Sequence, residues 1–121
     1  YNEDRHFGNF GVLRDNHTGQ IISPAPIFDN GLSLFNFAMP DDFKNLKKYA
    51  KTRSNPYRIS YEEICKEVMG AKQKSQLRRL IGFKFKRHPS LNLPEERLEA
   101  IEKQVGERVR ELLSLPSLRK A

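Results

Sequence analysis

A mainly α fold with a β-hairpin near its N-terminus is predicted by three observations. Between residues 10 and 23, apolar residues flank the polar cluster D-N-H-T-G, the pattern of two strands joined by a turn. From residue 41 onward, apolar residues recur at helical spacing between start and stop residues. The chain's 121 residues, 37% hydrophobic and 31% charged, suit one soluble, helix-rich domain. No apolar run approaches the roughly 18 residues that a membrane span needs.

In F-G-V-L-R-D-N-H-T-G-Q-I-I-S, Asp15 and Asn16 supply turn hydrogen bonds, and Gly19 tolerates positive φ. Pro24 and Pro26 interrupt regular pairing, so Ile27, Phe28 and Asp29 fall in a short extended segment closed by a D-N-G turn. Pro40, Asp41 and Asp42 open a helix whose lysines gather toward its end, as the helix dipole favours. The stretch S-N-P-Y-R (54–58) reads as a loop. Ser60 and Glu63 form an S-x-x-E capping box for a helix with Ile64, Cys65 and Val68 on its apolar side and Gly70 as its stop. A further helix is expected over 74–88, with Leu77, Leu80, Ile81 and Phe85 on one face. The last covers 93–115, with Pro94 near its first turn and Leu98, Ile101, Val105, Val109 and Leu112 along one side. Glu99 and Lys103 there are spaced for an i, i+4 pair.

Cys65 is the only cysteine, which rules out an internal disulfide and favours a reducing compartment, the cytoplasm. Its place on an apolar stripe fits a small core residue. Charge divides the chain. Residues 1–43 carry two basic and six acidic side chains, net −4, whereas residues 44–121 carry 20 and nine, net +11. A basic body of that kind suits a nucleic acid, a phosphate or an acidic partner, and equally the solvated faces of ordinary helices.

The densest chemistry lies at the acidic end. Asp4 and Asn9 have the spacing D-x-x-x-x-N, which kinase-type phosphoryl-transfer enzymes use in their catalytic loop. There the aspartate orients or accepts the proton of the attacking hydroxyl, and the asparagine turns its amide oxygen toward Mg²⁺. Magnesium takes hard oxygen ligands, usually only one or two of them carboxylates. Asp29, which follows the hairpin and precedes Asn30 and Gly31, is placed to supply the second ligand. The same residues also fit a loop stitched by side-chain to backbone bonds and a simple D-N-G turn. His6 is expected to be a buried, hydrogen-bonded residue that holds the loop in shape. His17 and His88 receive no role, and no Cys/His cluster has zinc spacing.

D-R-H-F-G-N-F-G, followed by a hairpin and A-P-I-F-D-N-G, resembles the HipA-like serine/threonine kinases, a bacterial family linked to toxin–antitoxin systems and persistence. Their catalytic loop has the form D-x-H-x-x-N, matched by Asp4, His6 and Asn9. Their metal aspartate follows an apolar-Pro-apolar-aromatic run, matched by Pro26, Ile27, Phe28 and Asp29. The resemblance implies Asp4 as catalytic base, Asn9 and Asp29 as Mg²⁺ ligands, and ATP as phosphoryl donor to a Ser/Thr hydroxyl of a protein substrate. It implies a partial protein-kinase-like C-lobe spanning 1–121 as one domain, with the catalytic loop, hairpin and metal segment in 1–33 and a helical subdomain in 40–121. A DNA-binding, antitoxin-like partner would also fit the family, as would non-specific DNA contact through the basic helical part.

A kinase further needs a glycine-rich loop and a strand lysine from an N-lobe, and neither pattern occurs in these residues. The chain is therefore expected to be a C-lobe piece of a longer enzyme, with little or no transfer activity alone. The alternative is a helix-turn-helix-like DNA-binding or transcriptional-regulator module, because residues 66–88 hold eight Lys/Arg against one acidic residue, Glu67, around Gly70. Its fit is poor in detail: Lys66 and Gln76 stand where a small residue and an apolar residue are wanted.

Overall fold

The computed structural model describes residues 1–116. The end of the expected helical subdomain, 117–121, lies outside the described residues. A two-stranded hairpin, β1 (Val12–Arg14) and β2 (Ile21–Pro24), precedes four helices, α1 (Leu46–Ala50), α2 (Tyr61–Val68), α3 (Ala71–Leu77) and α4 (Glu95–Ser114). Single 3₁₀ turns stand at Phe7–Asn9, Asp42–Asn45 and Arg78–Leu80. The fold is thus mainly α with an N-terminal hairpin.

The hairpin owes its turn to Asp15, whose Oδ1 accepts from the backbone N–H of His17 (2.8 Å) and Thr18 (2.7 Å). Those bonds hold the Asp15 carboxyl below its ordinary range, that of Thr18 foremost. Gly19 takes φ +71, a left-handed conformation in which a side chain is strained. Pairing is antiparallel, with Val12 opposite Pro24, Leu13 opposite Ser23 and Arg14 opposite Ile21, and an irregularity between Leu13 and Arg14. Val12, Leu13, Ile21 and Ile22 all stay exposed, so the ladder and the turn hold the hairpin rather than burial.

The helix expected from residue 41 is divided. Asn45 leaves helical geometry at φ −146, and its side chain accepts from Lys48 N–H at 3.0 Å. It thereby starts α1 afresh as an N-cap. Helix α2 begins as expected: Ser60 Oγ accepts from Glu63 N–H at 3.1 Å, and Glu63 Oε2 accepts from Ser60 N–H at 3.2 Å. Gly70 is not its left-handed stop. Met69 caps α2, while Gly70, at φ −98, opens α3 and donates its N–H to Gln73 Oε1 at 3.1 Å.

The helix expected over 74–88 ends early. Helix α3 tightens into the Arg78–Leu80 turn, Ile81 is extended and Gly82 lies at φ +75. The cause sits on α4. Glu102 accepts from Phe85 N–H (2.9 Å), Lys84 Nζ (2.9 Å) and Arg87 Nη1 (2.5 Å). A backbone N–H given to Glu102 is not available to a helix, and residues 83–88 take no regular structure. Lys74, in the middle of the expected basic face, is buried and caps the Leu113 and Leu115 carbonyls at the end of α4.

Helix α4 organises the core. Leu98, Ile101 and Val109 are buried on the expected stripe, and Ile101 packs with Phe35, Ala38, Leu46 and Ala50. Cys65 is half-buried on α2, and burial pushes its thiol up. Among the described residues Glu99 and Lys103 do not close into a pair. Arg108 instead reaches Glu62 at 3.3 Å and Glu111 reaches Lys47 at 3.7 Å, so charges on α4 tie it to α1 and α2. No helix among the described residues is long and apolar enough to cross a membrane.

Candidate functional site

Residues 2–9 fold into a loop that bonds mainly to itself. The Asn9 side chain is buried, and its Nδ2 donates to the Asp4 carbonyl at 2.7 Å and leans toward Asp4 Oδ2 at 3.4 Å. A carbonyl that close fixes which end of the amide is nitrogen. The other end, Oδ1, receives no donor among the described residues. Asp4 N–H donates to Asn2 Oδ1 at 3.0 Å, which leaves the Asp4 carboxylate half-exposed on the loop's rim.

His6 is exposed, contrary to expectation, yet it does shape the loop. Its Nδ1 accepts from Gly8 N–H at 3.0 Å, so in the neutral ring the proton sits on Nε2. That nitrogen lies 4.0 Å from Asp4 Oδ1. Gly8 belongs to the same device, because a Cβ there would stand 2.9 Å from His6 Cε1. The ring is held against open backbone that only glycine supplies.

Arg5 joins this loop to the segment after the hairpin. Its Nη1 donates to the carbonyls of Asn9 (2.7 Å) and Phe28 (2.5 Å), and its Nη2 donates to Asn30 Oδ1. Asn2 Nδ2 donates to the Asp29 carbonyl at 3.1 Å, and Glu3 N–H to the Leu32 carbonyl at 3.1 Å. Residues 28–32 are thereby fastened to residues 2–9 along their backbone. Asp29 itself sits at φ +52, a left-handed conformation that aspartate tolerates better than most side chains. Its carboxylate is exposed and has no protein donor among the described residues.

The loop is braced from behind by 53–61. Asn55, buried, accepts from Tyr57 N–H at 2.9 Å and donates to the Ile59 carbonyl at 2.6 Å. This fixes the turn that carries Tyr57, whose hydroxyl donates to the Arg5 carbonyl at 2.7 Å. The Tyr61 hydroxyl reaches the carbonyls of Asn2 (3.1 Å) and Ser54 (2.9 Å). Burial, with help from Glu3 and Tyr1 and against Arg53, pushes the Tyr61 phenol up to about 12, so it remains a donor through the neutral range. Arg53 closes the brace on Glu3 at 3.5 Å.

The three residues singled out from sequence thus share one latched unit. Asp4 and Asn9 touch directly, and Asp29 is held to their loop through its carbonyl and both its neighbours. Sequence reasoning missed Arg5, Tyr57 and Tyr61. Arg5 carried one available signal: it is the only permanent cation in residues 1–13, among carbonyl-rich loop backbone. The tyrosines carried none, since their partners are main-chain carbonyls, and those on the loop lie more than fifty positions away.

Among the described residues no group of three His, Cys, Asp or Glu side chains is arranged to hold a metal by itself. Among the described residues Asp4 Oδ1, Asn9 Oδ1 and the Asp29 carboxylate receive no hydrogen bond, and Asn9 and Asp29 are the two expected as metal ligands. Both are hard donors, and two protein ligands completed by phosphate and water oxygens is the set that Mg²⁺ favours. Comparisons with family models, with curated proteins and with solved structures give no match for this chain.

Proposed function

We propose that this chain carries the catalytic and metal-binding part of an ATP- and Mg²⁺-dependent serine/threonine kinase C-lobe of the HipA-like kind. The observation that carries the proposal is the Arg5 fork, which ties the D-x-x-x-x-N loop to the Asp29 segment at Phe28 and Asn30. Asn9 and Asp29 keep oxygens free on the unit so formed. Asp4 orients the acceptor hydroxyl and takes its proton. His6 Nε2 stands beside that base, 4.0 Å from Asp4 Oδ1. Asn9 and Asp29 hold Mg²⁺, which neutralises charge on the phosphates. The protein's contribution is positioning: a rigid loop places the base and both ligands with little reorganisation.

Mn²⁺ in place of Mg²⁺, added with ATP to the 121-residue chain, tests the assignment by paramagnetic broadening in NMR spectra. Broadening is expected to centre on the Asn9 side-chain amide and the backbone amides flanking Asp29, and to disappear in Asp29→Asn. Broadening centred instead on Asp41 and Asp42, and unchanged in Asp29→Asn, overturns it.

A further inference from the structure

Between α3, α4 and the turn at residues 33–35 lies a cavity of about 140 Å³ that has no part in the site above. Its walls are largely aliphatic and aromatic, with Leu34, Phe35, Leu77, Leu80, Val105 and Val109 among them. Two wall residues, Arg108 and Gln104, do not fit that company. Gln104 is only 5% exposed, and no hydrogen bond reaches its carboxamide among the described residues. Its amide nitrogen and oxygen are not fully enclosed, so they remain open to pairing with a molecule that enters the cavity. The nearby Arg108 does not answer it, being engaged by Glu62 at 3.3 Å and Glu111 at 3.5 Å and lying over the Tyr1 ring.

We propose that this cavity is a binding site for a small, mainly apolar molecule with one hydrogen-bonding head, of the phenol class, whose head pairs with Gln104. Size supports this occupant, because an apolar cavity of roughly 150 Å³ accommodates benzene. Polarity separates it from a plain hydrocarbon, since a carboxamide offers both a donor and an acceptor to a hydroxyl. A lone water is the weaker candidate, since it needs two to four polar partners and the lining is mostly apolar, with Arg108 Nη1 already held by Glu62 and Glu111. Leu34 and Phe35 are consecutive non-glycine residues at φ +52 and +61, so strained backbone holds this wall open. The site stands independently of the phosphotransfer proposal.

The test titrates the full chain with phenol and with benzene while NMR follows the Gln104 side-chain amide and the Leu34 and Phe35 backbone amides. Saturable shifts are expected with both probes, and tighter binding with phenol. Gln104→Leu should weaken phenol about tenfold, the worth of one hydrogen bond, and leave benzene unchanged. Leu80→Phe, at the cavity's partly exposed rim, should fill the space and weaken both probes. Absence of saturable shifts in the folded wild-type chain overturns the proposal. Equal binding of phenol by wild type and Gln104→Leu also overturns it, as the amide is then no recognition group.

Discussion

Arg5 Nη1 donates to the carbonyl of Phe28, 23 residues away, at 2.5 Å, and the same guanidinium holds the Asn9 carbonyl and the Asn30 side chain. This fork bridges two segments that pack little apolar surface against each other. Phe7, Ile27 and Phe28 are all exposed, so the bridge is polar and local rather than a by-product of core packing.

Arg5→Lys is therefore expected to separate the segments without unfolding the core. An ammonium has no planar fork and cannot reach three acceptors with the same geometry. Global stability should fall by about 1–2 kcal/mol, the order expected for charged hydrogen bonds on a half-exposed group. Amide exchange should accelerate most at residues 28–32 and least in α4. Uniform acceleration along the chain would show that Arg5 is part of the global fold rather than a latch.

Gly8→Ala should act through His6. The new methyl would stand 2.9 Å from His6 Cε1, so the ring must turn away and release the Gly8 N–H. A loss of about 1 kcal/mol is expected in the wild-type background and less in His6→Ala, where the clash is gone. Urea denaturation of the four proteins of this double-mutant cycle measures the coupling. Equal losses in both backgrounds would place the glycine requirement elsewhere.

Legibility from sequence follows the range of the interactions responsible. Helix α2 was readable because Ser60 and Glu63 are three positions apart and cap the helix by themselves. Helix α4 was readable because Leu98, Ile101 and Val109 bury one continuous stripe. The end of α3 was not, since Glu102, 17 positions beyond Phe85, claims the N–H that a longer helix would have used. Gly70 gave a correct boundary for the wrong reason: it opens α3 instead of closing α2 in a left-handed turn. At the candidate site, Asp4 and Asn9 announced themselves by spacing and bond directly. The Tyr57 contact and two of the three Arg5 contacts run to main-chain carbonyls, which every residue possesses, so no residue type marked those partners.

Glu102 sets a pH dependence whose sign follows from its partners. Hydrogen bonds from Arg87 first and Lys84 second hold its carboxyl down to about 2, from 4.5 when unperturbed. A carboxyl lowered on folding stabilises the native state fully above its unfolded value and loses that contribution as pH falls toward the folded one. Thermal unfolding midpoints should therefore drop between about pH 4.5 and 2. Glu102→Gln should flatten that fall more than Glu95→Gln, whose carboxyl is lowered by Arg87 but is solvent-exposed. An identical acid profile in wild type and Glu102→Gln would refute the assignment.

Arg97 ties α4 to the turn that follows the Asp29 segment. Its Nη1 donates to the Ala38 carbonyl at 3.2 Å, and its Nη2 to those of Phe35 (3.1 Å) and Asn36 (3.3 Å). The guanidinium also lies 4.5 Å over the Phe43 ring, while its buried Nε finds no partner among the described residues. Four contacts from one planar group outweigh one unpaired N–H, so the residue is stabilising on balance. Arg97→Met keeps the apolar stem and removes every donor, leaving the Asn36 and Ala38 carbonyls without a partner among the described residues and Phe35 with only the Ala38 N–H. A loss of about 2–3 kcal/mol in urea denaturation is expected, larger than that of Arg97→Lys, which can still satisfy one carbonyl. A Met variant as stable as wild type would show that the orphaned Nε cancels the three bonds, and that Phe35 holds its left-handed turn through core packing alone.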